Sequence, residues 1–119
     1  MTSELIIKIS DSPKPEAKVV SFAGEMDETN VEQARKDLTP LLNDSSIKTL
    51  VFDFKNLKFI NSKGIGYLVS VHTHLAKDHR KLVLTQAQEA VMDVINLIGL
   101  TSIISYYETV EEALSPQAS

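Results

Sequence analysis

Three features of the 119-residue sequence predict an α/β fold built on a mostly parallel sheet. Short β-branched and apolar runs alternate with stretches of helical periodicity, the pattern of strand–helix–strand units. The run from Ile47 to Phe54 is apolar at nearly every position, as a central strand covered on both faces requires. The first two strand-like runs lie too close together for a crossover helix, so that pair is antiparallel.

Leu5-Ile6-Ile7-Lys8-Ile9 is the first strand, and Asp11-Ser12-Pro13-Lys14-Pro15 breaks it with turn-forming residues. Val19 to Phe22 is the second. Thr29-Asn30-Val31-Glu32 has the spacing of a capping box, and Val31, Ala34, Leu38 and Leu41 give the helix after it one apolar face. Pro40 predicts that this helix kinks or ends near Thr39. After the strand from Ile47 to Phe54 and a polar connection, Ser62 is placed at the N-cap of a second helix reaching about Lys77. Its buried face is predicted to be Ile65, Leu68, Val69, His72, Leu75 and Ala76. Lys81 to Thr85 is a fourth strand, Gln88 to Ile98 a helix stopped by Gly99, and Ile103 to Tyr107 the last strand. Thr109-Val110-Glu111-Glu112 repeats the capping-box spacing before a short helix. The predicted order is β-β-α-β-α-β-α-β-α in a single domain of residues 1–119, with an ordered core of about 4–114 and a frayed tail from Ser115 to Ser119.

Composition narrows the function. Sixteen acidic against twelve basic residues give a net charge of -4, which argues against a nucleic-acid footprint. Cysteine is absent, so disulfides, thiolate metal sites and a cysteine nucleophile are excluded. No apolar run approaches the length of a bilayer span, and Met1-Thr2-Ser3-Glu4 does not read as a signal peptide, so the cytoplasm is the expected location.

In open α/β sheets, function collects beyond the carboxyl ends of the strands, where loops feed helix N-termini. The segment from Asp53 to Gly66 is the most informative such place. Asp53 is expected to end the central strand, Ser62 to crown the next helix, and Gly64 and Gly66 to keep its first turn bare for a partner's backbone. Spacing alone leaves two readings of Ser62. It is a helix cap, or it is a modification site whose phosphate would meet the positive end of the helix dipole.

The run Phe52-Asp53-Phe54-Lys55-Asn56-Leu57-Lys58-Phe59-Ile60-Asn61-Ser62-Lys63-Gly64-Ile65-Gly66 resembles the signature of STAS domains, especially the anti-sigma factor antagonists. Gly24-Glu25-Met26-Asp27, Leu97-Ile98-Gly99-Leu100 and Val110-Glu111-Glu112-Ala113-Leu114 match further family motifs in order. The resemblance implies a binding module that captures an anti-sigma factor, itself a serine kinase. Phosphorylation of the loop serine ends the capture, and a serine phosphatase resets it. Ser62 aligns with that serine. Two positions depart from the pattern: Asn61 stands where the family usually has Asp, and Lys63 replaces a small hydroxyl residue. Both make the loop more positive, and Lys55 and Lys58 are expected to add to this.

The partner face implied by the resemblance and the helix pattern comprises Asp27, Asp53, Asn61, Ser62, Lys63, Gly64, Ile65, Gly66, Tyr67 and Val71. Tyr67, Val71 and His74 fall outside the predicted apolar stripe, which suggests exposure beside Ser62. Within the same fold, the alternative is a scaffold domain that is not phosphorylated, in a larger regulatory or lipid-transport complex. A small α/β enzyme using Asp53 is disfavoured because nothing marks a substrate pocket. His72 and His74 point to different sides of a helix, so a metal site with His79 is not expected, and no cofactor is implied. A receiver domain is rejected because the chain opens with two adjacent strands. The apolar first strand lies at a sheet edge, where it could pair with a second copy in a homodimer.

Overall fold

The computed structural model describes residues 4–115. Five strands form one sheet in the order β1-β2-β3-β4-β5: β1 (Leu5–Asp11), β2 (Ala17–Met26), β3 (Thr49–Ile60), β4 (Lys81–Thr85) and β5 (Ser105–Tyr107). Strand β1 runs antiparallel to β2, and every other neighbouring pair is parallel. The helices are α1 (Val31–Leu42), α2 (Ser62–Ala76), α3 (Glu89–Ile98) and α4 (Val110–Ala113), with a single 3-10 turn at Leu100–Ser102. This is the predicted α/β fold and element order, with the 3-10 turn added. Apart from Ser115, the tail expected to fray lies outside the described residues.

Alternation along the strands builds two cores. Val20, Phe22, Leu50, Phe52, Phe54, Leu82 and Leu84 point to the face where α1, α2 and α3 pack. Phe22 stands edge-on to both Phe52 and Phe54, with ring centroids 4.8 and 5.5 Å away. On the opposite face, Val51 and Val83 are sealed by Ala113, with Val19, Tyr107, Val110 and Leu114 around them. The short helix α4 therefore closes that side of the central strands. Its capping box forms in both directions: the Glu112 amide donates to Thr109 Oγ1 and the Thr109 amide to Glu112 Oε1, each at 3.1 Å.

The first predicted capping box does not form. Thr29 donates its hydroxyl to Asp27 Oδ1 at 2.6 Å, a charged acceptor two residues back, and so is lost as a cap. The N-cap position falls to Asn30, whose side chain joins the Asp27 amide to the Glu25 carbonyl instead. Nor does Pro40 end α1, which continues to Leu42. The proline lies on the exposed side of the last turn, so its ring displaces no core side chain. Leu42 is consequently buried and Leu41 only half-buried.

Strand β3 is longer than its apolar run predicts. Lys55 to Ile60 form no loop. They continue the strand, because β2 supplies partners from Ala23 opposite Asn56 to Met26 opposite Ile60. Polar residues hide this extension, since β4 stops at Thr85 opposite Asp53 and leaves the far half of β3 short of a neighbour. In β5, Ile103 and Ile104 belong to the turn before the strand, and only Ile104 is buried.

Helix α2 corrects the largest group of expectations. Tyr67 and Val71 are buried, at 1% and 0% exposure, while Ala76 is exposed and His72 is half-buried. The helix packs against the sheet and against α1, so its apolar face is wider than a single stripe. Tyr67 turns toward α1, with its ring 5.1 Å from the Arg35 guanidinium and its hydroxyl 3.5 Å from the Ala34 carbonyl. Burial pushes its pKa up to about 12. His74 alone of the three expected outward residues is exposed.

Candidate functional site

The carboxyl ends of β2 and β3 lie side by side, and each feeds a helix. Two links tie their exits together. The Asn61 amide donates to the Met26 carbonyl at 3.2 Å, and Asn61 Nδ2 donates to Glu28 Oε1 at 2.6 Å. The same side chain caps α2, because Asn61 Oδ1 accepts from the Lys63 and Gly64 amides at 3.1 and 3.2 Å. The N-cap is thus Asn61 rather than Ser62. An extended conformation at Asn61 sets this geometry, and Ser62 becomes the first helical residue.

That shift by one position leaves the Ser62 hydroxyl unneeded as a cap. Ser62 is exposed, as are its neighbour Lys63 and Glu28, the residue that Asn61 bonds. Gly66 is exposed, and a methyl group built on it would touch nothing within 4 Å, so the surface is bare there as expected. Gly64 is not. It is buried, and an added Cβ would lie 2.6 Å from Ile60 Cγ1 and 3.2 Å from Met26 Cγ. The smallness of Gly64 serves the seating of α2 on β2 and β3 rather than the approach of a partner's backbone. Ile65 is likewise part of the core.

The other expected site residues separate into two groups. Asp27 joins the cluster through the loop before α1, but its carboxylate faces inward to the Thr29 amide and hydroxyl. Asp53 does not join it. It lies in mid-strand, seven residues before Ile60, which is roughly 20 Å at the usual rise of an extended strand. Its Oδ1 accepts from Gln86 Nε2 at 2.8 Å and from the Lys55 amide at 3.0 Å. Tyr67 and Val71 are sealed against α1 and present nothing at the surface. Lys58 is also turned away, lining a shallow depression with Glu4, Ile6, Ala23 and Gln88.

Sequence reasoning missed Glu28 as a member of the cluster and Phe59 as an exposed residue near the end of β3. Glu28 reaches Asn61 across 33 positions of chain, a contact no local pattern reveals. Phe59 is 45% exposed because the pairing shifts register between Gly24 and Glu25, so that Glu25 meets Phe59 and the alternation along β3 is broken. Among the described residues, no group of three His, Asp or Glu side chains could hold a metal ion, and no helix is long and apolar enough to cross a membrane.

The sequence matches the STAS domain family over residues 8–113. The chain belongs to the STAS family. A curated relative, the anti-sigma F factor antagonist of Paenibacillus polymyxa, is 21% identical over 97 residues, covering 82% of this chain and 83% of that protein. An anti-sigma factor antagonist from Mycobacterium paratuberculosis superposes with a TM-score of 0.83 at 24% identity, covering 93% of this chain and 92% of the other. The Bacillus cell fate determinant SpoIIAA in its phosphorylated form gives 0.70 at 23% identity, over 92% and 96% of the two chains. SpoIIAA in its unphosphorylated form gives 0.76 at 24%, over 92% and 93%. These likenesses place this STAS domain in the SpoIIAA-like fold.

Proposed function

We propose that this single STAS domain is an anti-sigma factor antagonist: a binding module, not an enzyme, that captures an anti-sigma factor and is switched at Ser62. The partner is a serine kinase that phosphorylates the hydroxyl, and a serine phosphatase restores it. The observation that carries this reading is the exposed Ser62 side chain on the first turn of α2, freed from capping by Asn61. The names of the relatives point the same way, and SpoIIAA has a phosphorylated form. The docking surface consists of Ser62, Lys63 and Gly66 with Glu28, which Asn61 ties to the start of α2, and the setting is the cytoplasm.

Charge explains how such a switch works. A phosphate brings about -1.5 to -2 charge at neutral pH. At the N-terminus of α2 it gains about 0.3–1 kcal/mol from the helix dipole when exposed. The same charge stands on the docking surface, where a partner surface fitted to the neutral hydroxyl has to accommodate it. An enzyme reading has no comparable support, since the Asp53 carboxylate is occupied by Gln86 and the Lys55 amide.

Incubation with ATP and each candidate kinase, followed by localisation of phosphate by mass spectrometry, tests the switch. Phosphate is expected on Ser62 and absent from a Ser62→Ala variant. Phosphate on other residues only, or none with a kinase that the protein binds, would favour the scaffold alternative.

A further inference from the structure

We propose that the free edge of β1 pairs antiparallel with β1 of a second copy, about a two-fold axis through Ile6. Strand β1 is an open edge of seven residues on which Ile6 is 58% and Ile9 45% exposed. The other edge, β5, has only three residues.

Backbone parity restricts how such a pair can form. The Glu25 amide donates to the Glu4 carbonyl, and the register then runs without a break from Leu5 opposite Gly24 to Asp11 opposite Lys18. Because bonded and non-bonded positions alternate in an antiparallel ladder, Glu4, Ile6 and Lys8 direct their backbone groups to β2. Leu5, Ile7 and Ile9 direct theirs outward, and a second β1 must match these with one another.

Charge then selects among the permitted registers. An axis through Lys8 sets two ammonium groups face to face. An axis through Ile7 places Lys8 against Ile6 and Glu4 against Ser10, leaving the charges unanswered. An axis through Ile6 sets Glu4 opposite Lys8 on both sides and Ile6 against its own copy, while Leu5 and Ile7 exchange backbone hydrogen bonds. Glu4, Ile6 and Lys8 lie on one face and are all exposed, so the row is self-complementary. A lone lysine on an edge strand usually guards against pairing. Here the glutamate four residues earlier answers it.

Sedimentation velocity of the full chain over a range of concentrations tests the pairing. A monomer–dimer equilibrium is expected, with the dimer weakened at least about tenfold by Lys8→Glu or Glu4→Lys alone and restored by the two together. The chain has no cysteine, so Ile6→Cys supplies a second readout. Mild oxidation should link it into dimers, whereas Lys36→Cys on the exposed side of α1 should stay monomeric. A chain that is monomeric at every concentration, including one whose β1 edge receives a strand of another protein, would overturn the proposal. So would a charge swap that restores nothing, or equal cross-linking of the two cysteine variants.

Discussion

The side chain of Asn61 meets two demands that a carboxylate cannot meet together. Its oxygen caps α2 while its amide nitrogen donates to Glu28. Aspartate at this position would keep the cap and set a second negative charge against Glu28. Asn61→Asp is therefore expected to destabilise the protein by about 1 kcal/mol, and Glu28→Gln to recover most of that loss in the double variant, as urea unfolding of the four proteins would show. The departure from the family pattern at position 61 thus has a physical partner in this chain. The two glycines nearby separate just as clearly. Gly64→Ala forces a methyl group into Ile60 and is expected to cost about 1–3 kcal/mol. Gly66→Ala meets open space and is expected to stabilise α2 by up to about 1 kcal/mol, read by the same unfolding midpoints.

Strands and helices were legible in the sequence wherever one face decided their pattern. The span of β4, the Gly99 stop of α3 and the Thr109 capping box all emerge as predicted. The pattern failed where burial had two causes or depended on a distant neighbour. Periodicity within α2 predicts exposed Tyr67 and Val71, but it carries no information about α1, which α2 contacts as well as the sheet. The polar end of β3 has the sequence pattern of a loop, and the strand that pairs it, β2, is remote in sequence. Arg80 shows the same limit. Its side chain is 4% exposed and binds Asp78 at 2.9 Å, the Leu42 carbonyl at 2.6 Å and the Asp44 carbonyl at 3.1 Å, joining the end of α1 to the start of β4. Lysine cannot reproduce that fork, so Arg80→Lys is expected to cost about 2–4 kcal/mol in thermal or chemical unfolding. The α1–α2 contact has a signature of its own in alkali. The Tyr67 pKa is about 12 in the folded protein against 10.0 for an ordinary tyrosine, so the unfolded chain loses that proton first as pH rises. Stability should fall between those two values, and Tyr67→Phe should flatten that part of the pH profile.

Across the whole domain, parallel strands β2 and β3 deliver two loops to one end of the sheet, and α2 begins there with a serine that its own cap does not use. Of the residues that the sequence singles out there, Ser62, Lys63 and Gly66 are exposed on the first turns of α2. Tyr67 and Val71, expected on the same face, are buried, and Glu28 joins the start of α2 through a tertiary contact that no local pattern shows. Asn61 and Gly64 seat the helix, while Ser62 is exposed and takes no part in the cap, so the proposed switch would act on a residue that neither contact uses. The most direct measurement is the affinity of the purified protein for the anti-sigma factor proposed as its partner, determined by calorimetry for Ser62→Ala and Ser62→Asp alongside the unmodified chain. Retained binding by Ser62→Ala and a loss of at least about tenfold by Ser62→Asp, with both variants folded, is the expected result. Equal affinity for all three proteins would contradict a charge switch at this position.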